Sequence, residues 1–510
     1  MKKSGLDRRE FIQAATGIAA VPAVLAATHP GQAARSERVS VPGKRPKNII
    51  FMVSDGMSMG VLSLAEPLSQ QMRGKGTHWH ALMQRRDVAH GWFDMASLNS
   101  LVTDSAAASS AWGSGSRVFN AAINVLPDGT KLTPICTLAR QAGRRTGLVT
   151  TATVTHATPA GFAASVPKRD DEETIAVQYL DAVDVILGGG TKFFVADKRS
   201  DKRDLLGEFS KAGYATVQTR NELLKTDAAA TARMIGLFSN GHIPYTIDRD
   251  NKPEIAAAVP TLAEMAKAAL DSLAASPKGF LLQIEGARID HAAHANDAAG
   301  ALLDQVAFDD AIGVALEFAA KHPDTLIVVT SDHGNSNPGL NGMKEEYTAS
   351  NECFAKVAGF KASFSEIESR MRAAAKDSAP LEAAAAAAIL KETTGIEIEA
   401  GEADAIAQAV NGNPPATLNK QLGKFSGTLG QVLSNHIGIG WTGNTHTADY
   451  TVLTALGPGQ ELFAGLHLNT DAFHAMCALM GIEHENPSMK PEEARKAAYV
   501  PPQVSPVHWA

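Results

Sequence analysis

The chain has 510 residues, 45% of them hydrophobic and 20% charged, with a formal net charge of −7. That length suffices for one large α/β domain with an insertion, or for two to three domains. No basic patch dominates, which excludes nucleic-acid binding as the main role, and the three scattered cysteines (Cys136, Cys353, Cys477), with no CxxC spacing, exclude a disulfide framework and read as core thiols.

The first 34 residues read as an address and not as fold. Lys2, Lys3, Arg8 and Arg9 precede a weakly apolar run over residues 11–27 that contains Pro22, and the small residues at 26–34 can hold a cleavage site. Arg8-Arg9-Glu10-Phe11-Ile12 resembles a twin-arginine export signal. The run is too short and too interrupted for a stable membrane span after processing. The expectation is a periplasmic or secreted protein that meets the twin-arginine export machinery already folded, with any metal loaded inside the cell.

Residues 48–53 (Asn-Ile-Ile-Phe-Met-Val) form a continuous apolar run, the pattern of a strand buried on both faces, and stop at Ser54-Asp55-Gly56. Residues 101–103 read as the end of the next strand, followed by a corner at Asp104-Ser105 and a helix of small residues. At that corner Ser105 is either a helix N-cap or a nucleophile beside free N–H groups. Further on, 134–141 and 205–211 read as helices, and 146–151 and 182–187 as strands, the latter closed by Gly188-Gly189-Gly190. Residues 261–274 form an amphipathic helix with Leu262, Met265, Ala269 and Leu273 on its apolar side. A strand at 279–284 ends at Glu285, a helix covers 298–320, and a strand at 325–330 ends near Asp332-His333. Alternating strands and helices predict an α/β fold, a doubly wound and mainly parallel sheet flanked by helices.

Residues 335–445 break the rhythm. Helices are expected at 363–376, 381–391 and 403–410, and Ser363 with Glu366 has capping-box spacing. This stretch reads as a mostly helical inserted subdomain within a catalytic domain formed by 35–334 and 446–510. A strand at 450–456 and a helix at 471–480 follow, and the Pro-rich tail from Pro487 is expected to wrap the surface.

Polar residues cluster just after the apolar runs: Asp55, Asp104-Ser105, His156 with Thr158, Glu285, Asp290 with His294, Asp332-His333, and His446. In open α/β sheets the ligand crevice lies beyond the carboxyl ends of the strands. Asp and His suit zinc, while Glu and Thr oxygens suit magnesium. Singly, each signal has an ordinary reading. Asp55-Gly56 can be a turn, Asp290 with His294 a surface pair one helical turn apart, Asp332-His333-Gly334 a loop, and His446 a satisfied histidine. The combination is what carries weight.

These blocks resemble the alkaline phosphatase family. Residues 102–112 (Val-Thr-Asp-Ser-Ala-Ala-Ala-Ser-Ser-Ala-Trp) are similar to its nucleophile motif, 48–56 to its first metal strand, and 155–160 to its magnesium segment. Residues 284–294 (Ile-Glu-Gly-Ala-Arg-Ile-Asp-His-Ala-Ala-His) are similar to its Glu…Asp…His signature; 329–333 and His446-Thr447 complete the set, and 184–190 also looks like a family segment. The resemblance implies a phosphomonoesterase that acts on phosphate monoesters, releases inorganic phosphate, and uses two zinc ions and one magnesium. It implies Ser105 as nucleophile, Asp290, His294 and His446 on the first zinc, and Asp55, Asp332 and His333 on the second. Asp55 would bridge to the third ion, completed by Thr158 and Glu285. Arg169, eleven residues after Thr158, falls where the family's phosphate-clamping arginine falls, with Asp104 as its orienter; it also reads as a solvated charge in Lys168-Arg169-Asp170-Asp171. Ser54 and Ser58 replace glycines, His156 stands where some members have an Asp ligand, and His291 where some have a lysine. A homodimer is also compatible with the family. Competing readings are a phosphodiesterase or sulfatase on the same scaffold, and a non-catalytic phosphate- or metal-binding protein.

Overall fold

A computed structural model describes residues 41, 43–375 and 379–497. The expected export signal lies outside the described residues, as does residue 376, the expected end of one helix. A ten-stranded sheet forms the centre, in the order β14-β2-β13-β8-β1-β7-β3-β4-β6-β5. In chain order its strands are β1 (Asn48–Ser54), β2 (Ala89–Asp94), β3 (Arg145–Thr153), β4 (Val185–Gly189), β5 (Ala215–Val217), β6 (Met234–Leu237), β7 (Phe280–Gly286), β8 (Thr325–Thr330), β13 (Thr451–Leu456) and β14 (Gly465–Leu468). Four two-residue strands, β9 (Gly334–Asn335), β10 (Gly339–Leu340), β11 (Ile439–Gly440) and β12 (His446–Thr447), make two small ribbons outside it. Within the large sheet only β13 runs against the rest, as it is antiparallel to both β8 and β2. This is the mainly parallel α/β sheet that the alternating pattern predicted.

β1 shows why the apolar run is continuous. All seven of its residues are buried. Ile50 and Met52 join the core on one face of the sheet, and Ile49, Phe51 and Val53 join the core on the other. Successive strand residues point to opposite faces, so a strand covered on both sides needs apolar residues at every position. Five helices matter for the site: α1 (Ser105–Ser114), α2 (Ala157–Ala163), α3 (Leu262–Leu273), α4 (Arg288–His294) and α5 (Ala298–Lys321). α3 carries a capping box between Thr261 and Glu264. Among the described residues, no helix is long and apolar enough to cross a membrane.

Two local expectations change. Residues 101–103 form no strand; Leu101 and Val102 lie in an exposed loop between β2 and α1. A short apolar pair cannot be told from a loop by periodicity alone. The capping box at Ser363 forms only by half. The Ser363 hydroxyl accepts from Glu366 N–H, but Ser363 N–H donates to Asp248 (2.8 Å) while the Glu366 carboxylate pairs with Lys252 (2.7 Å). Tertiary partners thus replace the local one. Residues 335–445 do supply helices, at Ser350–Ala355, Phe364–Ala374, Ala383–Thr394, Ala400–Val410 and Phe425–Ile437. Their apolar sides, including Ile367, Leu390, Ile406 and Leu429, join the same core as β1's Ile50 and Met52.

α1 and α2 cross at van der Waals limits through glycines. A Cβ on Gly161 would lie 2.2 Å from Ser109 Oγ and 2.6 Å from Ser109 C. Gly161→Ala is therefore expected to destabilise the protein by about 1–3 kcal/mol through overpacking, read as a lower urea midpoint at unchanged m-value. An unchanged midpoint would mean that this crossing is not tight.

Candidate active site

Four adjacent strands in the order β8-β1-β7-β3 deliver the site. Their register pairs Val53 with Glu285 and Thr330, and Thr150 with Glu285. The carboxyl ends are thereby level: Asp55 follows β1, Ser331-Asp332-His333 follow β8, Glu285 lies at the end of β7, and β3 leads to His156 and Thr158. Asp55, Glu285 and Asp332 have no exposed surface. Asp290 and His294 share one face of α4, with His294 Nε2 3.4 Å from Asp290 Oδ2. His446 arrives on β12, which pairs with β9 so that His446 sits opposite Asn335. Gly56 holds a left-handed φ of +65°, and a Cβ there would fall 2.3 Å from Asp290 Oδ1. The Asp55-Gly56 turn is thus also the seat of the Asp290 carboxylate.

The groups form three overlapping clusters: Asp290 with His333 and His446; Asp55 with Asp332 and His333; and Asp55 with His156 and Glu285. Within each, the potential ligand atoms lie within 4.8 Å of one another. His294 joins the first, its Nε2 3.0 Å from His446 Nε2, while His446 Nε2 is 3.6 Å from Asp290 Oδ1. The Nδ1 atoms of His294 and His446 face the carbonyl oxygens of Asn444 and Thr103, each at 2.8 Å. Carbonyls only accept, so both rings carry a proton on Nδ1 and direct Nε2 inward. Burial and the neighbouring His333 push His446 down to about 3, which leaves it neutral. The Nε2 atoms of the two rings thus face each other at 3.0 Å beside the Asp290 carboxylate, an arrangement that suits a cation between them.

The carboxylates tell the same story. Asp55 Oδ1, Glu285 Oε1 and Asp332 Oδ2 are buried with no hydrogen-bond partner. Burial, and then the Asp332, Asp290 and Glu285 carboxylates, push Asp55 well above the ordinary carboxylate range. Burial raises Glu285 to about 7 despite the hydroxyl of Thr150 at 2.5 Å. Asp332 is also opposed by burial, yet the adjacent His333 holds it below its usual value; their contact of 3.1 Å lacks hydrogen-bond alignment. Orphaned carboxylate oxygens among imidazole nitrogens fit divalent ions well.

Ser105 stands at the first turn of α1 and is 1% exposed. Its expected role as N-cap is corrected: Asp104 is the cap, with Oδ1 accepting from Ala107 N–H at 2.9 Å. The Ser105 hydroxyl is thereby released toward the clusters and lies 3.2 Å from His333 Nε2. Asp104 Oδ2 accepts from Ala121 N–H (2.9 Å) and from Arg169 Nη1 (3.1 Å). Arg169 is buried, not a solvated charge. Its Nη2 donates to His156 Nε2 at 3.0 Å. Burial and Arg169 hold His156 far below its ordinary pKa, so the ring is neutral and its proton lies on Nδ1, which is buried and unpartnered. Thr158 Oγ1 is 3.4 Å from Asp55 Oδ2. His291 accepts from Arg288 at 2.5 Å, and burial with Arg288 keeps it neutral, so it brings no lysine-like charge.

All twelve expected site residues therefore lie in one neighbourhood. Others went unread in the sequence. Asn335 Nδ2 donates to Asp290 Oδ1 at 2.7 Å and orients that carboxylate. Asn296, at φ 54°, donates to the Gly443 carbonyl at 2.7 Å and ties the loop of His446 to the turn after α4. Thr103 contributes only its carbonyl. The one available signal was position: Asn335 follows Asp332-His333-Gly334, and Asn296 follows His294.

A profile of the alkaline phosphatase family matches residues 46–482. Alkaline phosphatase 4 of Bacillus subtilis is 32% identical over 438 residues, covering 83% of this chain and 87% of the relative. The crystal structure of Thermus thermophilus alkaline phosphatase superposes with a TM-score of 0.83 at 34% identity, covering 92% of this chain and 99% of that one. A cold-active alkaline phosphatase from Shewanella sp. gives 0.68 at 28% identity, covering 85% and 99%.

If the three clusters bind divalent ions, the ions stabilise the folded state by mass action, by about 2.7 kcal/mol at a hundredfold excess over Kd. A chelator is expected to lower the thermal midpoint and added zinc to restore it. A midpoint indifferent to both would remove the clusters as ion sites.

Proposed function

The chain belongs to the alkaline phosphatase family, and from that premise we propose that it is an exported hydrolase that cleaves phosphate monoesters through a phosphoserine on Ser105. The observation that carries this reading is the Ser105 hydroxyl, uncapped at a helix N-terminus, 3.2 Å from His333 and beside the first two clusters. Asp290, His294 and His446 would hold one ion, and Asp55, Asp332 and His333 a second; their mixed nitrogen and oxygen donors suit zinc. Asp55, Glu285 and Thr158 would hold a third through oxygen alone, which suits magnesium. While His156 accepts from Arg169 its other nitrogen carries the proton, so it would reach the third ion through water, or take zinc there after giving up Arg169. Ions bound at these sites supply Lewis-acid neutralisation of the charge on the attacking and leaving oxygens.

The chain's own residues do the rest. Arg169 grips two non-bridging phosphate oxygens, because a planar guanidinium matches that geometry. Asp104 and His156 hold the guanidinium from two sides, so little is spent on ordering it when substrate binds. Ser105 Oγ gives up its proton and attacks phosphorus in line, the bond from phosphorus to the ester oxygen breaks, and that oxygen takes up a proton and leaves as the alcohol. The N-terminus of α1 favours the negative charge that collects there. Water then attacks the same phosphorus, the Ser105 O–P bond breaks, and inorganic phosphate leaves. A clamp for a doubly charged phosphoryl group supports monoesters over diesters and sulfate esters. Export rests on the Arg8-Arg9 segment. The division into a catalytic unit (35–334 with 446–510) and a helical insertion (335–445) is supported by the ligands' positions, all of which lie outside the insertion.

Ser105→Ala is expected to lose acid-stable phosphoenzyme after quenching with labelled substrate, with a rate loss of about 10³-fold or more. Full turnover with a retained phosphoenzyme would refute Ser105 as nucleophile. Arg169→Ala is expected to raise the inhibition constant of inorganic phosphate about 10- to 100-fold, the worth of one or two charge-assisted hydrogen bonds. An unchanged constant would count against the clamp.

A further inference from the structure

Next to the clusters the surface opens into a depression of about 520 Å³, with Met95, Leu101, Thr103, Thr447, Asp449 and Tyr450 among its walls. That volume lies within the range of sites that take organic ligands. Two of its walls belong to the catalytic neighbourhood. Thr103 immediately precedes Asp104-Ser105, and its carbonyl accepts from His446 Nδ1 at 2.8 Å. Thr447 follows His446 on β12. The depression thus begins where the nucleophile loop and the His446 loop are joined.

Its lining is mixed, with apolar Met95, Ala96 and Leu101 and the ring of Tyr450 beside Asp94 and Asp449. Leu101 is 49% exposed and Tyr450 55% exposed. Single exposed apolar residues are ordinary, but these two share one concavity, with the Met95 side chain in the wall. Asp449, the acidic group nearest Tyr450, is already engaged: its Oδ2 accepts from Thr447 Oγ1 at 2.5 Å and from Asn337 Nδ2 at 2.8 Å. It braces the loop through that oxygen, and Asp94, also in the lining, pairs with Arg117 at 3.3 Å.

The in-line geometry says what passes here. The leaving oxygen departs opposite Ser105 Oγ; because that hydroxyl lies 3.2 Å from His333, which clusters with Asp55 and Asp332, the cluster of Asp290, His294 and His446 would receive the leaving side. The depression reaches His446 through Thr103, whose carbonyl accepts from its Nδ1, and through Thr447, which follows it; Tyr450 and Leu101 line the same depression. We infer that this depression is the subsite for the organic part of the leaving alcohol, with Tyr450 and Leu101 favouring flat, aromatic alcohols over small polyhydroxy ones. The inference rests on the phosphomonoesterase reading and adds to it a substrate preference that the clamp and the metal clusters do not provide.

The test compares 2-naphthyl phosphate with glycerol phosphate, by kcat/KM, in the full-length wild-type protein and in the Tyr450→Ala/Leu101→Ser double variant. Loss of the aromatic and aliphatic contacts is expected to lower kcat/KM for the naphthyl ester about tenfold. Values for glycerol phosphate, and inhibition by inorganic phosphate, are expected to stay within about twofold, because neither reaches the depression. Tyr450→Phe should keep the naphthyl preference, since it retains the ring. Equal losses on both esters, or no loss on either, would overturn the subsite. A changed sedimentation mass with an unchanged ester ratio would overturn it in favour of a contact with a second copy of the chain. Wild-type protein that turns over neither ester would overturn the underlying reading itself, a failure distinct from an unchanged ratio in an active enzyme.

Discussion

Carboxylates gathered where no protein cation can neutralise them all are the constraint on which this structure depends. Asp55, Glu285, Asp290 and Asp332 are at most 2% exposed. At the 4.8 Å within which the cluster atoms lie, two unit charges repel by roughly 3 kcal/mol even at an effective dielectric near 20. Side chains free to relax would part. They do not, because three of them ride on or just beyond central parallel strands covered on both faces, and the fourth is wedged against Gly56. The core holds the groups together, and the electrostatic strain this creates is what makes them a site for cations.

A second requirement sits beside the first. On the proposed reading the phosphate side needs positive charge in fixed orientation, close to the three clusters. Arg169 would meet that need: Asp104 and His156 hold it from two sides, and its backbone N–H donates to the Ala121 carbonyl at 2.8 Å. Asp104 is the pivot of this half. One oxygen caps α1 and the other binds both the guanidinium and Ala121, so the position of Ser105 and the direction of Arg169 are set by a single carboxylate. His156 links the halves: its one neutral ring can accept from Arg169 or bind an ion with a deprotonated nitrogen, and each nitrogen serves only one of these uses at a time.

Much of this was legible in the residues. The apolar runs of β1, β7 and β8 announce buried strands, because burial on both faces permits no polar alternation, and the candidate ligands are conspicuous because they stand just past those runs. The resemblance then supplied roles that no spacing could supply. What failed was short or borrowed structure. Leu101 and Val102 look like strand and lie in a loop, since two apolar residues carry no period. Ser105 looks like a cap, but Asp104 takes the position, because its carboxylate can reach Ala107 N–H and Arg169 at once. Ser363 and Glu366 have a local pattern that Asp248 and Lys252 override.

By itself the sequence determined the strand runs, the alternating α/β order and the inventory of Asp, Glu, His, Ser and Arg available for chemistry, because these follow from local burial patterns and residue type. Only the tertiary structure decided which atoms meet. The level register of β8, β1, β7 and β3, the two imidazole nitrogens of His294 and His446 at 3.0 Å, the carbonyl of Thr103 that fixes His446, and the amide of Asn335 that aims Asp290 all join residues far apart in the chain. Such contacts leave no periodic trace in the sequence, since they depend on where separate elements pack and not on what any one of them is.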